Sequence, residues 1–308
     1  MSLRRALLNT YLRWVEKPRL ARAKDHHHMR RNLEIQARYL FHAPRGTQQQ
    51  WHVLESAGRR VDALEIVPPE LNTDAVIFYI HGGGFVFGSP RTHAAMLGQL
   101  AQRTGVRAIL PKYRLAPEAP YPAAVADVRV AWEGLVASGV APSRIVIGGD
   151  SAGGALALGL LADLVRSGAA QPAAVFCFSP LTDMTHSGDS FQTNAKAEAI
   201  LPASRAGDMV QTYLAGHAAD DPQVSPLSAN FQGAVPIWIT VGDTEILRDD
   251  SRRMVARLTA DGVDVTFAET HDLPHVWPLF HNVLPEARTT LRDVATWIRQ
   301  QLGLPDEN

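Results

Sequence analysis

The sequence has a single cysteine, Cys177, so no intramolecular disulfide can form and packing alone must hold the fold. That fits a reducing compartment. It also lacks an apolar run of the roughly eighteen residues that a helix needs to cross a bilayer. Behind Arg4 and Arg5 no clean apolar stretch follows, because Asn9, Thr10, Arg13 and Glu16 interrupt it, and no small-residue cleavage site appears, so no signal peptide is read. Charge of one sign is missing too: 30 Lys and Arg stand against 31 Asp and Glu, a net charge of −1. A near-neutral chain has no overall electrostatic reason to seek nucleic acid or a polyanionic surface. These absences predict a cytoplasmic chain with no nucleic-acid partner and no stable membrane association.

What is present is a large apolar fraction, 46% of 308 residues, enough for one sizeable core. Short β-branched runs recur along the chain. Residues 51–55 and 61–67 read as an edge hairpin around Ala57-Gly58-Arg59. Further strands are expected at 76–80, 106–111, 144–148, 174–179, 237–241 and 265–269, with helical patterns between them. Such alternation predicts a mostly parallel sheet covered by helices on both faces. Cys177 falls in one of these strands and reads as a packing residue.

Two of the strands end in motifs. Arg144-Ile145-Val146-Ile147-Gly148 leads into Gly149-Asp150-Ser151-Ala152-Gly153, and an Ala- and Leu-rich run from Ala155 to Val165 leads out. A G-x-S-x-G pentapeptide between strand and helix is a sharp, strained turn that lifts the Ser151 hydroxyl to the sheet's C-terminal edge. Side chains at the flanking glycines would collide with strand and helix. The strand Val76–Ile80 runs into His81-Gly82-Gly83-Gly84-Phe85. Three glycines free backbone N–H groups to converge on a developing oxyanion, and loops of this kind accompany such a serine elbow in lipases and esterases.

The chain resembles bacterial members of the hormone-sensitive lipase family of esterases. The matching segments are His81 to Phe85, Tyr113 to Glu118 with Pro120 and Pro122, Gly149 to Gly154, Ser179 to Asp183, Ser225-Pro226-Leu227, Gly242 to Asp250, and His275, in family order from about residue 75 onward. The resemblance implies an α/β-hydrolase fold with a helical cap and carboxylester hydrolysis without metal or cofactor. Residues 1–45 then form the N-terminal helical part of the cap, with Pro18 expected to break the helix. Residues 46–308 form the catalytic domain, with a cap insertion at about 184–215. More than fifty residues separate the strands ending near Ser179 and starting near Pro236, and a helix is expected from about Ala203 to Leu214. His26-His27-His28 point in different directions on a helix and make no ligand face.

A serine hydroxyl needs a base, and in this fold the chain order is Ser, acid, His. His275 follows the last strand, where the resemblance places the catalytic histidine. His271 is its runner-up, and His281 is expected in the final helix. The acid is ambiguous. Aligned on Leu247 and Asp249, the family's acid position is Glu245, and Asp243, nearer the strand end, is the alternative. Asp249 and Asp250 read as residues that cap or begin the next helix. The expected oxyanion donors are the N–H groups of Gly83, Gly84 and Ala152. Phe85, Asp150 and Trp277 are candidate pocket residues, and Arg114 and Glu118 are expected to pair with each other.

The expected activity is hydrolysis of short- to medium-chain acyl esters through an acyl-enzyme. An amidase or peptidase using the same three residues, a ligand receptor and an interfacial lipase are the alternatives. Family practice also implies a possible homodimer through the last strand edge, Val263-Asp264-Val265-Thr266-Phe267.

Overall fold

The computed structural model describes residues 2–23 and 25–305. The chain opens with a continuous helical run. Helix α1 (Leu3–Tyr11) passes through a π-helical turn (Leu12–Glu16) into α2 (Lys17–Arg22), and α3 (His26–Leu40) follows. Pro18 does not break this run. It lies at the start of α2, directly behind the wider turn, which accommodates a ring with no N–H to donate.

The strands are β1 (Gln48–Ser56), β2 (Arg59–Val67) and β3 (Val76–Ile80), then helix α4 (Pro90–Thr104) and β4 (Arg107–Pro111). Helix α5 (Ala123–Ala137), β5 (Ile145–Asp150), α6 (Ala152–Ser167) and β6 (Ala174–Phe178) come next. The insertion carries α7 (Ser190–Thr193) and α8 (Ala203–Leu214). The chain closes with β7 (Ile237–Gly242), α9 (Arg248–Ala260), β8 (Val265–Thr270) and α10 (Pro285–Gln301). The hairpin turn is Ala57-Gly58, both at positive φ, which matches the twist of the flanking strands.

The eight strands form one sheet in the order β1-β2-β4-β3-β5-β6-β7-β8. Only β1 and β2 run antiparallel to their neighbours, so the fold is the expected mostly parallel α/β sheet. Side chains alternate between two cores. Val76, Phe78, Ile147 and Cys177 share one with α5 and α6, while Ile77, Tyr79, Val146 and Phe176 share the other with α4 and α10. Burial pushes the Cys177 thiol well above its ordinary range, which keeps it unreactive.

The register aligns the strand ends that matter. Ile80 pairs Gly149, Asp150 pairs Phe178, and Gly242 pairs Thr270. The segments after β3, β5, β6, β7 and β8 therefore emerge along one edge of the sheet. The N-terminal helices and the insertion meet there: Lys17 Nζ donates to the carbonyls of Ala195 and Glu198, and Arg13 donates to that of Ala197. Strand β8 is the outermost strand on its side, and all six of its residues are half-buried.

Candidate active site

Ser151 sits between β5 and α6 at φ 50° and ψ −120°, a conformation that costs a side-chain-bearing residue about 1–3 kcal/mol. Two features over-determine it. A Cβ on Gly153 would lie 2.0 Å from the Ile80 carbonyl oxygen, so only glycine lets α6 start this close to β3. The Ser151 N–H also donates to the Phe178 carbonyl, and the Ser151 carbonyl accepts from Leu181 N–H, both at 3.0 Å. The elbow is thus sewn to the segment after β6.

That segment carries Ser179, whose Oγ donates to Glu245 Oε1 at 2.8 Å and accepts from Val276 N–H at 3.3 Å. Ser179 connects the acid and histidine segments to the elbow. The second Glu245 oxygen lies 2.6 Å from His275 Nδ1, and Gly242 N–H donates to Oε1. Glu245 is fully buried and the His275 side chain is 10% exposed. Burial alone would push His275 down. The Glu245 hydrogen bond and the charges of Glu245, Glu198 and Asp150 outweigh it and raise His275 above the usual imidazole value. With Nδ1–H held by Glu245, Nε2 is left as the acceptor.

Asp243, the alternative acid, is engaged elsewhere. Its carboxylate lies 2.6 Å from His271 Nδ1 and accepts from Asp272 N–H at 2.7 Å. The two weighed acids therefore hold the two weighed histidines, one pair each. His281 is not in the final helix; it follows the 3₁₀ turn Trp277–Phe280, and α10 starts at Pro285.

The glycine loop has φ 120° at Gly83, 56° at Gly84 and 62° at Phe85. Among the described residues, no acceptor is recorded for the Gly83 and Gly84 N–H groups. Ala152, as the first residue of α6, has an N–H without an intrahelical partner. Helix α8 covers this loop: a Cβ on Gly84 would come 2.7 Å from Met209 Sδ, and Phe85 stacks on Tyr213 with ring centroids 3.8 Å apart.

Phe85, Asp150 and Trp277 require correction as pocket residues; Phe85 is fully buried against Tyr213. Asp150 is buried behind the glycine loop, accepting from Tyr79 OH at 2.8 Å and Gly82 N–H at 3.0 Å, with His93 Nε2 at 3.2 Å. Burial opposes its charge, yet His93 and Tyr79 together hold its carboxyl below the usual value. His81 itself is pushed down to about 3 by burial and then by His93, so it stays neutral beside Tyr113. Trp277 is fully buried, with its indole N–H on Thr290 of α10. The expected Arg114–Glu118 pair is also absent. Arg114 makes a bidentate contact with Asp127 at 2.7 and 2.8 Å, and Glu118 pairs with Arg30.

Arg30 is one of several residues that sequence reasoning missed. It also donates to the carbonyls of Val86 and Ala116, each at 2.7 Å, and so fastens the glycine loop from α3. From α1, Arg5 donates to the His271 carbonyl and Asn9 to that of Asp272, both at 2.8 Å, just ahead of His275. From the insertion, Asn194 donates to the carbonyls of Asp243 and Glu245, while Glu198 accepts from Ile246 N–H at 3.2 Å. Glu198 is fully buried, and that burial, then the nearby Glu245 charge, raises its carboxyl above the usual range. A cavity of about 720 Å³ between α5 and α6, lined by Leu156, Leu160 and Gln223, contains none of these groups.

Comparison with known proteins agrees with the fold. A family model described as the alpha/beta hydrolase fold matches residues 77–279. An acetyl-hydrolase of Streptomyces hygroscopicus is 35% identical over 78% of this chain and 80% of its own length. An esterase of Acinetobacter venetianus is 34% identical over 75% and 77%. The crystal structure of an esterase from the bacterial hormone-sensitive lipase family, 37% identical, superposes with a TM-score of 0.90 over 98% of this chain and 99% of that one. The chain belongs to the bacterial hormone-sensitive lipase family of α/β hydrolases. The crystal structure of EstE5 soaked with p-nitrophenyl butyrate is 36% identical and superposes with a TM-score of 0.91 over 98% of this chain and 100% of that one. Within this family fold, a serine elbow, a buried His–Glu pair and a free-donor glycine loop share one sheet edge.

Proposed function

We propose that this carboxylic ester hydrolase works through Ser151, His275 and Glu245 on short- to medium-chain acyl esters. The observation that carries the assignment is the buried Glu245–His275 contact at 2.6 Å, tied through Ser179 to the strained Ser151 elbow. His275 Nε2 takes the Ser151 proton as Oγ attacks the ester carbonyl. The oxyanion is held by the N–H groups of Gly83, Gly84 and Ala152. The tetrahedral intermediate collapses as His275 protonates the leaving alcohol, and water, deprotonated by the same imidazole, releases the acid. Glu245 fixes the imidazole tautomer and stabilises its charged form. Every step uses side chains and backbone alone, without metal or cofactor.

The acyl-length reading rests on α8, taken as part of a cap formed with the N-terminal helices. Met209 and Tyr213 of α8 pack on the glycine loop at Gly84 and Phe85, which supports a pocket of limited depth. The use of p-nitrophenyl butyrate with EstE5 supports a short acyl chain. We expect kcat/KM on p-nitrophenyl esters to peak at about C4 to C8. A peak at C16 on emulsified substrate would contradict this.

The protein is further proposed to be cytoplasmic and to dimerise by joining two β8 edges about a two-fold axis. Light scattering at micromolar concentration tests the dimer; a mass of one 33.6 kDa chain under all conditions rejects it.

A further inference from the structure

The helical run from Leu3 to Arg22 has two faces, and the fold accounts for only one. Arg5, Asn9 and Leu12 are buried, Leu8 packs beside Leu273 and Trp277, and this inner face fastens the His271–Asp272 segment. The outer face carries Leu3, Leu7, Tyr11 and Trp14, which are 77%, 63%, 47% and 79% exposed. Residues 3, 7 and 11 are four apart and line one stripe. Nothing in the packing requires apolar side chains there. Among the described residues, ten of the twelve exposed large hydrophobic side chains lie between Leu3 and Val53. Four of these line the outer face of this one run, and such a row marks an interaction surface rather than scattered exposure.

Charge identifies what would cover it. The near-zero net charge of the chain conceals a segregation: residues 1–53 hold eleven Arg and Lys against three Asp and Glu, although Arg5, Arg13 and Arg30 of these pair with Asp272 and Glu118 elsewhere in the chain. Arg4, Arg22 and Arg31 are exposed and have no acidic partner among the described residues. A two-fold pairing of this face would bring like charges together, whereas anionic headgroups would neutralise them.

We propose, against the expectation of no stable membrane association drawn from overall charge and hydropathy, that this face docks peripherally on an anionic lipid surface. The run of twenty residues is about 30 Å long, enough to lie in the plane of an interface. Leu3, Leu7 and Trp14 would enter the boundary between headgroups and acyl chains, where Trp and Tyr are favoured, with arginines at the phosphates. The inner face of the same run holds the segment before His275, so docking turns the site-bearing sheet edge toward the membrane. Acyl esters concentrate there. The proposal concerns binding and stands or falls independently of ester turnover.

The test is co-sedimentation of the full chain with vesicles of equal parts phosphatidylglycerol and phosphatidylcholine, beside pure phosphatidylcholine vesicles, at low and high salt. We expect about tenfold or more binding to the anionic vesicles, lost at high salt. Leu7→Glu with Trp14→Glu should abolish it, and Arg22→Glu with Arg31→Glu, which leaves the apolar stripe intact, should weaken it. Both double variants should hydrolyse dissolved p-nitrophenyl butyrate at the wild-type rate, which reports an intact fold. If the apolar variant fails to fold, the arginine variant still decides the matter. Failure of the wild type to sediment with anionic vesicles would overturn the proposal. So would salt-independent binding to both vesicle types, or conversion of a dimer to a monomer by the apolar variant, which would mean that a second copy covers the face.

Discussion

Two histidine–carboxylate pairs lie side by side in the segments after β7 and β8, and they make the same contact. Glu245–His275 and Asp243–His271 each join a carboxylate oxygen to an imidazole Nδ1 at 2.6 Å. Their surroundings differ. The side chains of the first pair are 0% and 10% exposed, and those of the second are 31% and 66% exposed. Water screens the exposed pair, and such pairs typically contribute about 0–1 kcal/mol. The buried pair is shielded from water, and it carries Ser179, Gly242 N–H and, through backbone bonds, the Ser151 elbow. Hydrogen-bond length therefore favours neither pair for the catalytic role. Burial and connection to the Ser151 elbow are what support the proposed assignment to Glu245.

The largest expected effect breaks the reaction without touching either pair. Ser151→Ala should fold normally and lose about 10³-fold or more in kcat on p-nitrophenyl butyrate, leaving only oxyanion and binding contributions. Retention of a tenth of wild-type turnover would refute the assignment. Next comes the comparison itself. Glu245→Gln should lower kcat by about 10²-fold or more, because the imidazole loses its orienting charge, while Asp243→Asn should change it less than about threefold. The reverse ranking in folded variants would move the acid role to Asp243. A smaller effect is expected from the residues that hold the acid loop. Asn194→Ala removes the bonds to the Asp243 and Glu245 carbonyls and should lower kcat by about tenfold with little change in KM, a cost of misplacing the acid. An unchanged kcat would show that the loop holds its shape alone.

The smallest effect is on pH. His275 must be neutral to act as a base, and its value is raised, so the acid limb of kcat/KM should have its midpoint above pH 6.5. Glu198 is one of the charges that raises it. Glu198→Gln should move the limb toward lower pH by a few tenths, its single oxygen keeping the bond from Ile246 N–H at the expense of that from Ile200 N–H. A limb that stays in place would leave Glu198 only a structural role.

Much of this was legible in the sequence because it is local. The parallel strands, the Ser151 elbow, the glycine loop and the helix from Ala203 to Leu214 are each set by short-range pattern, and the structure has them where the pattern falls. The acid and histidine candidates were narrowed by chain order, but their pairing was not, since Asp243 and Glu245 are two residues apart and each carbonyl and carboxylate could turn either way. The misses are contacts across sequence distance. Arg30 reads as a solvated charge on an arginine-rich helix, yet it reaches Val86, Ala116 and Glu118. Arg114 pairs with Asp127 on α5 because that helix packs beside its turn, which no spacing rule encodes. Asn9 left a faint signal: a polar residue on the same helix face as Leu12 has to find a buried partner, and it finds the Asp272 carbonyl. Pro18 misled because the cue for a break is local, and the compensating π-helical turn depends on packing.

Covalent labelling tests the central claim most directly. A fluorophosphonate should form a single adduct, detected by intact mass and mapped by peptide mass to Ser151. The labelling rate should fall sharply in Glu245→Gln and stay near wild type in Asp243→Asn. An adduct on another residue, or a rate that drops with Asp243→Asn and not with Glu245→Gln, would contradict the account.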